Sequence, residues 1–284
     1  MLEEPETQVV GFGPIRAHAV SMAEAIDLIA RRAASGRGGF VLTPNLDHLA
    51  LSRRHPAFGD AYDRAFLALA DGVPLVVASR LLRLPIREKV SGSDLFEPLM
   101  ARCARDRLPV FFLGATTATC EAARRRLAVD HPTLEVAGYD ASHFDLEADP
   151  GAAREALRRA RERGARLILV CLPPMKQLML FRFEHDYRPA VGIGVGSTLA
   201  FYAGESRRAP RWMSRVGLEW AYRLSQEPGR LWRRYLLEDP PALAILAGMA
   251  LDRLRGRPLH HACRLVTSPL GESEGATTEP GRHP

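Results

Sequence analysis

Short, uninterrupted apolar runs alternate along this chain with longer segments of helical periodicity. Such runs occupy residues 40–43, 110–113, 167–172 and 191–196. Strands that lack polar alternation are typical of a parallel sheet whose two faces are both covered by helices. We therefore predict a Rossmann-like α/β fold, with a mostly parallel sheet and helices on both faces.

A change in composition divides the chain. Residues 205–258 contain eleven arginines against six acidic residues, a local excess that nearly equals the net charge of +6. The last residues are polar and rich in Gly, Pro and Thr, which is typical of disorder. We predict a core at residues 1–204, an Arg/Trp-rich helical appendage at 205–258 and a disordered tail at 259–284.

Several classes of protein are disfavoured by what the sequence lacks. The acidic amino terminus has no apolar signal segment, and no run reaches the roughly 18 apolar residues of a transmembrane helix. The four cysteines are scattered without metal-type spacing. No Asp-x-Asp pair is present to hold a divalent cation. We expect a cytoplasmic protein with no cofactor and no bound metal.

Polar or glycine-bearing segments follow five of the predicted strands. Because ligands bind outside the carboxyl ends of the strands in a doubly wound sheet, we expect these segments to form the ligand site. They are Thr43-Pro44-Asn45, Asp71-Gly72, Gly114-Ala115-Thr116, Lys176-Gln177 and Gly194-Val195-Gly196-Ser197.

Asp71 is the only acid in this set that directly follows a buried strand and precedes a glycine. A carboxylate there can take a proton from an attacking hydroxyl. The alternative is an Asx turn or a helix cap, which position alone favours. Thr43 and Asn45 suit sugar hydroxyls or a diphosphate, but a strand-end turn with a helix N-cap explains them as well.

Two further segments have a binding and a structural interpretation. Lys176 and Gln177 begin a predicted helix, where amide groups and a cation can hold a diphosphate; the alternative is an exposed first helical turn. Gly192, Gly194 and Gly196 would let a backbone lie against a phosphate or sugar. They form GxGxG rather than the GxGxxG dinucleotide fingerprint, so a nucleotide-binding oxidoreductase is the weaker alternative.

The appendage carries an apolar stripe. Trp212, Val216, Trp220 and Leu224 have the i, i+4 spacing of one helical face, with arginines beside them. Such a helix either packs on the domain or lies in a membrane interface with its arginines at lipid phosphates. Nucleic acid is a third partner that basic and aromatic residues would suit.

Motifs that occur in order give a more specific indication. They are TPNLDHL (43–49), ADGVPLV (70–76), REKVSGSDL (87–95), FFLGAT (111–116), IGVGSTLAFYAG (193–204) and the arginine-rich block of residues 207–236. With these motifs, residues 9–257 resemble the WecG/TagA/CpsF family of glycosyltransferases.

The resemblance implies an activity. Members of the family are inverting, metal-independent enzymes that move a sugar from a UDP-sugar to a polyprenyl-diphosphate-linked sugar. They act at the cytoplasmic membrane face in cell-surface polysaccharide synthesis. We accordingly expect peripheral association with the membrane surface through the appendage and no nucleic-acid partner, and homo-oligomer formation stays open. A non-catalytic, membrane-associated partner of a polysaccharide assembly complex is a further alternative.

The resemblance also implies roles for particular residues. Asp71 corresponds to the proposed general base, and Thr43 and Asn45 line the substrate pocket. The core positions expected to bind substrate are Gly72, Gly114, Lys176, Gln177, Gly194, Gly196 and Ser197. The appendage arginines expected to close over the site are Arg207, Arg208, Arg211, Arg215, Arg230, Arg233 and Arg234.

Two departures from the family pattern concern the donor. Residues 172–178 read LPPMKQL in place of Gly-x-Pro-Lys-Gln-Glu, and Leu199-Ala200 replaces the usual Phe-Asp. Both segments are expected to border the nucleotide-sugar. The departures therefore raise the expectation that the donor sugar differs from N-acetylmannosamine.

Overall fold

The computed structural model describes residues 6–142, 144–255 and 265–269, with the backbone alone for 6, 211, 215, 216, 230 and 265–269. Six strands form a parallel sheet in the order β4-β3-β8-β7-β5-β6, and three form an antiparallel sheet in the order β2-β1-β9. The strands are β1 (Glu6–Phe12), β2 (Ile15–His18), β3 (Gly39–Leu42), β4 (Leu67–Ala68), β5 (Val110–Leu113), β6 (Val136–Asp140), β7 (Leu167–Val170), β8 (Val191–Gly194) and β9 (Leu265–Pro269).

Helices lie on both faces of the six-stranded sheet. They are α1 (Met22–Ser35), α2 (Leu46–Ser52), α3 (Ala57–Arg64), α4 (Val73–Leu81), α5 (Gly92–Asp106), α6 (Thr117–Asp130), α7 (Pro150–Glu162), α8 (Pro174–Gln177), α9 (Met179–Arg182), α10 (Glu184–Tyr187), α11 (Thr198–Ala203), α12 (Arg211–Val216), α13 (Glu219–Gln226), α14 (Pro228–Arg233) and α15 (Pro240–Leu254). A π-helical segment, Arg234–Glu238, joins α14 to α15.

The two faces of the sheet bury separate apolar cores. Phe40 and Leu42 belong to the core shared with α2, α3, α4, α7 and α9, whereas Val41 belongs to the core shared with α1, α5, α6 and α11. Side chains alternate between the faces of a strand, so a strand that is covered on both sides must be apolar at every position. The predicted α/β fold with helices on both faces is confirmed.

Serine side chains cap α1 and α5. Ser21 accepts a hydrogen bond from the Glu24 amide, and the Glu24 carboxylate accepts one from the Ser21 amide, which together form a capping box. Ser91 has the corresponding position before α5. Ser91 accepts from the Asp94 amide at 3.1 Å, and α5 begins at Gly92.

The helix predicted to begin at Lys176 and Gln177 does not continue beyond one turn. The segment forms three successive turns, α8, α9 and α10, and Phe183 between the last two has a non-helical backbone. The break allows Leu180 and Gln177 to approach the glycines of β8 closely, as described below.

The predicted disordered tail contains one ordered element. Leu265–Pro269 forms β9, which pairs with β1 in antiparallel register. An unpaired strand edge offers free N–H and C=O groups, and the Leu265-Val266-Thr267 run has the composition of a strand. Disorder is therefore the wrong prediction for these five residues; the rest of the tail lies outside the described residues.

The C-terminal helices pack on the core over part of their length. Ala242, Leu246 and Ala250 of α15 are buried, and α15 contacts α2 and α4. The stripe predicted for one helix is interrupted at Gly217, which ends α12 with φ of +80°. Trp212 stays largely exposed, whereas Trp220 packs against the ring of Tyr235.

No helix within the described ranges is both long and apolar enough to cross a bilayer.

Candidate active site

Two cavities open at the carboxyl edge of the parallel sheet, and Arg223 of α13 lines both. The Asp71 cleft, of about 450 Å³, is lined by Asn45, Asp71, Gly72, Lys89, Trp220, Arg223, Arg234 and Tyr235, among others. The Gly196 cavity, of about 660 Å³, is lined by Gly114, Thr116, Gly196, Ser197, Ala200, Glu205, Arg207 and Arg223, among others. The core supplies one wall of each cavity and the C-terminal helices supply the other.

The Asp71 carboxylate belongs to the cleft rather than to a helix cap. The Asp71 amide donates to the carbonyl of Pro44 at 2.8 Å, which holds the segment after β4 beside the segment after β3. Gly72 occupies the N-cap position of α4 with φ of +131°, and no side chain caps that helix. Within the described chain the Asp71 carboxylate makes no hydrogen bond or salt bridge, so it is available to a ligand.

The surroundings of Asp71 raise its proton affinity. Burial raises the pKa of its carboxyl from 3.8 to about 6. The charges of Lys89 and Arg223 oppose this increase, whereas those of Glu219 and Asp94 add to it. A carboxylate with a pKa near 6 is ionised at pH 7 and is a stronger base than an ordinary aspartate.

Ion pairs around Asp71 join the core to the C-terminal helices. Lys89 Nζ lies 3.2 Å from Asp94 and 3.9 Å from Glu219 of α13. Glu219 in turn lies 3.3 Å from Arg223, and Asp94 lies 2.6 Å from Arg208. The cations beside the cleft are thus held in place by acidic residues.

Thr43 and Asn45 are separated by the structure. The Thr43 hydroxyl is buried and donates to the carbonyl of Gly194 at 3.3 Å, so it links the end of β3 to β8 and lines neither cavity. Asn45 caps α2 by accepting from the His48 amide at 3.1 Å, and it also lines the Asp71 cleft. Asn45 therefore caps a helix and borders the cleft, and its contact with substrate stays a prediction, whereas Thr43 has a structural contact.

The three alternating glycines also differ. A Cβ at Gly192 would overlap Leu180, and a Cβ at Gly194 would overlap the side-chain amide of Gln177. Gly196 has φ of +55° and no atom within 4 Å of its Cβ direction, and it lines the second cavity. The first two glycines allow α8 and α9 to pack on the sheet, and only Gly196 faces a ligand cavity.

Replacing Gly194 by Ala is expected to destabilise the protein by about 1–3 kcal/mol, because the added methyl must displace the buried amide of Gln177. Urea unfolding measures the change. The matched control is Gly248→Ala in α15, where the added methyl meets nothing within 4 Å and helix propensity favours Ala. Equal stability of the two variants would contradict the packing role of Gly194.

The Lys176-Gln177 segment lies behind the cavities rather than in them. Gln177 is buried and donates to the carbonyl of Leu172 at 2.8 Å, while its Oε1 has no partner within the described chain. Lys176, in the same short turn, lines neither cavity. Binding of a diphosphate by this segment stays a prediction to which the geometry adds no support.

The predicted arginines fall into three groups. Arg207 is exposed and lines the Gly196 cavity, and Arg234 lines the Asp71 cleft at 3.3 Å from Asp47. Arg208 pairs with Asp94, and Arg233 is exposed outside both cavities. The side chains of Arg211, Arg215 and Arg230 lie outside the described residues.

The family comparison follows this geometry. The model of the glycosyl transferase WecG/TagA/CpsF family matches residues 10–256. The chain belongs to this family. It is therefore a glycosyltransferase, and the oxidoreductase alternative is set aside. The predicted family resemblance is confirmed.

Two curated relatives carry the same name, N-acetylglucosaminyldiphosphoundecaprenol N-acetyl-beta-D-mannosaminyltransferase. The relative from Bacillus spizizenii (strain W23) is 28% identical over 211 residues, which cover 74% of this chain and 79% of the relative. The relative from Bacillus subtilis (strain 168) is 26% identical over 210 residues, with the same two coverages.

Three residues of this WecG/TagA/CpsF protein were missed as site residues by sequence reasoning. Lys89 lies far along the chain from Glu219 and Arg223, which are four residues apart on α13, and the lysine meets this pair only in the folded chain. Lys89 is one of two lysines in the sequence and lies within a recognised motif, which was the available signal. Arg223 was hidden among many arginines of the appendage.

Among the described residues, no group of three or more His, Cys, Asp or Glu side chains is arranged to hold a metal ion. Metal independence remains a prediction.

Proposed function

We propose that this family member is an inverting, metal-independent glycosyltransferase that moves a sugar from a UDP-sugar to N-acetylglucosamine carried on a polyprenyl diphosphate. The observation that carries the proposal is the half-buried Asp71 carboxylate, which is unpaired within the described chain. Its cleft lies beside a second cavity, and Arg223 lines both. The names of the two curated relatives support the acceptor.

The acceptor hydroxyl enters the Asp71 cleft and the UDP-sugar occupies the Gly196 cavity. Asp71 takes the hydroxyl proton as the oxygen attacks the anomeric carbon. A new C–O bond forms on one face of the sugar while the bond to UDP breaks on the other. A single displacement of this kind inverts the anomeric centre.

Negative charge increases on the diphosphate of the departing UDP. Arg223 lies between the two cavities, and Arg207 lines the donor side. The turns at Gly114 (φ +89°) and Gly196 bring backbone to the same wall. Fixed cations and amides of this kind stabilise a developing anion without reorganisation.

The function is tested by measuring UDP release with purified protein, a panel of UDP-sugars and a short-chain polyprenyl-diphosphate N-acetylglucosamine, in the presence of EDTA. We expect release that requires both substrates, with UDP-N-acetylmannosamine as the first donor to examine. Release that requires an added divalent cation would overturn metal independence. Absence of release with every donor would overturn the proposed reaction.

The exposed aromatic residues support peripheral membrane association of the C-terminal helices. Trp212 and Trp232 are 61% and 46% exposed. We expect Trp212→Ser with Trp232→Ser to lower affinity for anionic vesicles at least about tenfold, since indole insertion buries apolar area. Vesicle co-sedimentation measures the affinity. Val129→Ser on α6, also highly exposed, is the control; equal loss in both would contradict a specific membrane surface.

A further inference from the structure

The wall of the Gly196 cavity contains an acidic residue that the proposed mechanism does not use. Glu205 follows α11, and its amide donates to the carbonyl of Ala200 at 3.0 Å. Ala200 and Glu205 both line the cavity. The Glu205 carboxylate therefore lies on the same wall of the cavity as Ala200, whose side chain is only a methyl group.

Two threonines hold this carboxylate in a fixed direction. The Thr119 hydroxyl donates to Glu205 Oε2 at 2.5 Å, and the Thr116 and Thr119 hydroxyl oxygens are 2.7 Å apart. Because Thr119 uses its only hydroxyl proton on Glu205, Thr116 must donate to Thr119. The chain of hydrogen bonds runs in one direction and ends on one oxygen of the carboxylate.

The other oxygen, Glu205 Oε1, has no hydrogen-bond partner among the described residues. A carboxylate oxygen accepts hydrogen bonds and cannot donate them. A ligand that matches this position must therefore present a hydroxyl or N–H. Vicinal hydroxyls of a ribose suit a carboxylate at the edge of a nucleotide site, as in other α/β folds.

We infer that Glu205, held by Thr119, accepts a hydrogen bond from the ribose hydroxyls of the nucleotide donor and thereby selects ribonucleotides. This inference rests on the proposed function, which assigns the nucleotide to the Gly196 cavity. Arg207 and Arg223 line the same cavity and carry the positive charge that would bind the diphosphate. Glu205 is a binding residue and Thr119 is a positioning residue.

The test compares the affinities of UDP, 2′-deoxy-UDP and 3′-deoxy-UDP by titration calorimetry. The wild type is expected to bind UDP about tenfold or more tightly than at least one deoxy analogue, because a hydrogen bond to a charged group is lost. Glu205→Ala should bring this ratio to within about twofold of unity, with the affinity for the deoxy analogue unchanged, and Glu205→Gln should lower the ratio less, because the amide oxygen still accepts a hydrogen bond. Thr119→Val should lower the ratio partially, since it releases the carboxylate without removing it.

Glu121→Gln on α6 is the control, because Glu121 pairs with Arg124 and lines neither cavity. An unchanged ratio in Glu205→Ala would overturn the inference while UDP binding still supports the proposed donor. If N3-methylation of the uracil weakens binding to the wild type but not to Glu205→Ala, Glu205 contacts the base and the inference is also overturned. Failure of the wild type to bind UDP would contradict both the inference and the proposed donor.

Discussion

Replacing Asp71 by Asn is expected to lower turnover by about two or more decades while leaving UDP-sugar affinity nearly unchanged. The side chain keeps its shape but can no longer take the acceptor proton. Under the proposed assignment its carboxylate lies in the cleft for the acceptor rather than in the cavity for the donor, so donor binding should be insensitive to the change. Steady-state UDP release gives turnover, and calorimetry gives the donor affinity.

The pH profile examines the same assignment in the unmodified enzyme. Because burial raises the pKa of Asp71 to about 6, the base becomes protonated as the pH falls through this value. The rate should be constant above about pH 7 and fall about tenfold per pH unit below pH 6. A profile that stays flat down to pH 5 would remove Asp71 from the role of base.

The free energy of unfolding of Asp71→Asn shows whether a loss of turnover comes from the missing base or from an unstable fold. A carboxyl whose pKa is raised in the folded state stabilises the fold when it is protonated. For Asp71 this contribution to the free energy of unfolding is complete below the unfolded pKa of 3.8 and is lost as the pH rises through about 6. The amide that replaces the carboxylate carries no charge, so the Asp71→Asn variant should be more stable than the wild type at pH 7. Asp60→Asn on the exposed side of α3 is the control and should change neither turnover nor stability appreciably.

Arg223→Gln is expected to lower kcat/KM by about two to three decades, the usual effect of removing one group that stabilises a developing anion. Arg223 lines both cavities, is held by Glu219 at 3.3 Å and lies over the Phe201 ring at 5.4 Å. Under the proposed assignment it is positioned to contact the diphosphate in the transition state. Arg223→Lys should recover part of the loss, because the charge remains but the planar fork does not.

The control for Arg223 is Arg253→Gln, which removes an exposed cation from α15 outside both cavities. It should leave kcat/KM unchanged while altering the net charge equally. A kcat/KM for Arg223→Gln within about threefold of the wild type would show that the shared guanidinium has no part in catalysis, since removal of a stabilising group costs far more.

The fold was largely predictable because strand and helix signals are local. Uninterrupted apolar runs marked four of the six parallel strands, β3, β5, β7 and β8, and a capping box formed by Ser21 and Glu24 stands at the start of α1. The order of the strands was not predictable in this way. β8 lies between β3 and β7 because of contacts between residues far apart in the chain, as in the Thr43–Gly194 hydrogen bond.

Asp71 lies at a cleft, as expected for an acid at a strand end, and its role as base stays a prediction. The role of a glycine was not predictable, because the same sequence pattern has two structural causes. Gly194 and Gly196 look equivalent in the sequence, but one makes room for Gln177 and the other faces a cavity. Only the position of a residue from another segment distinguishes these causes.

The break in the appendage shows the same limitation. Apolar spacing favours one continuous helix through residues 212–224, yet Gly217 ends α12 where a Cβ would come within 3.2 Å of Val73. The turn must lie close to the start of α4, and only glycine allows that approach together with φ of +80°. The stripe pattern carries no information about this tertiary contact.

Under the proposed assignment, the position of Arg223 couples the binding of the two substrates. The Arg223 guanidinium borders both cavities. A donor diphosphate that attracts this guanidinium toward the Gly196 cavity would lower the positive charge beside an acceptor in the Asp71 cleft. Linkage is reciprocal, and the acceptor must alter donor affinity by the same factor. A single side chain would thus make the affinity for the second substrate depend on whether the first is bound.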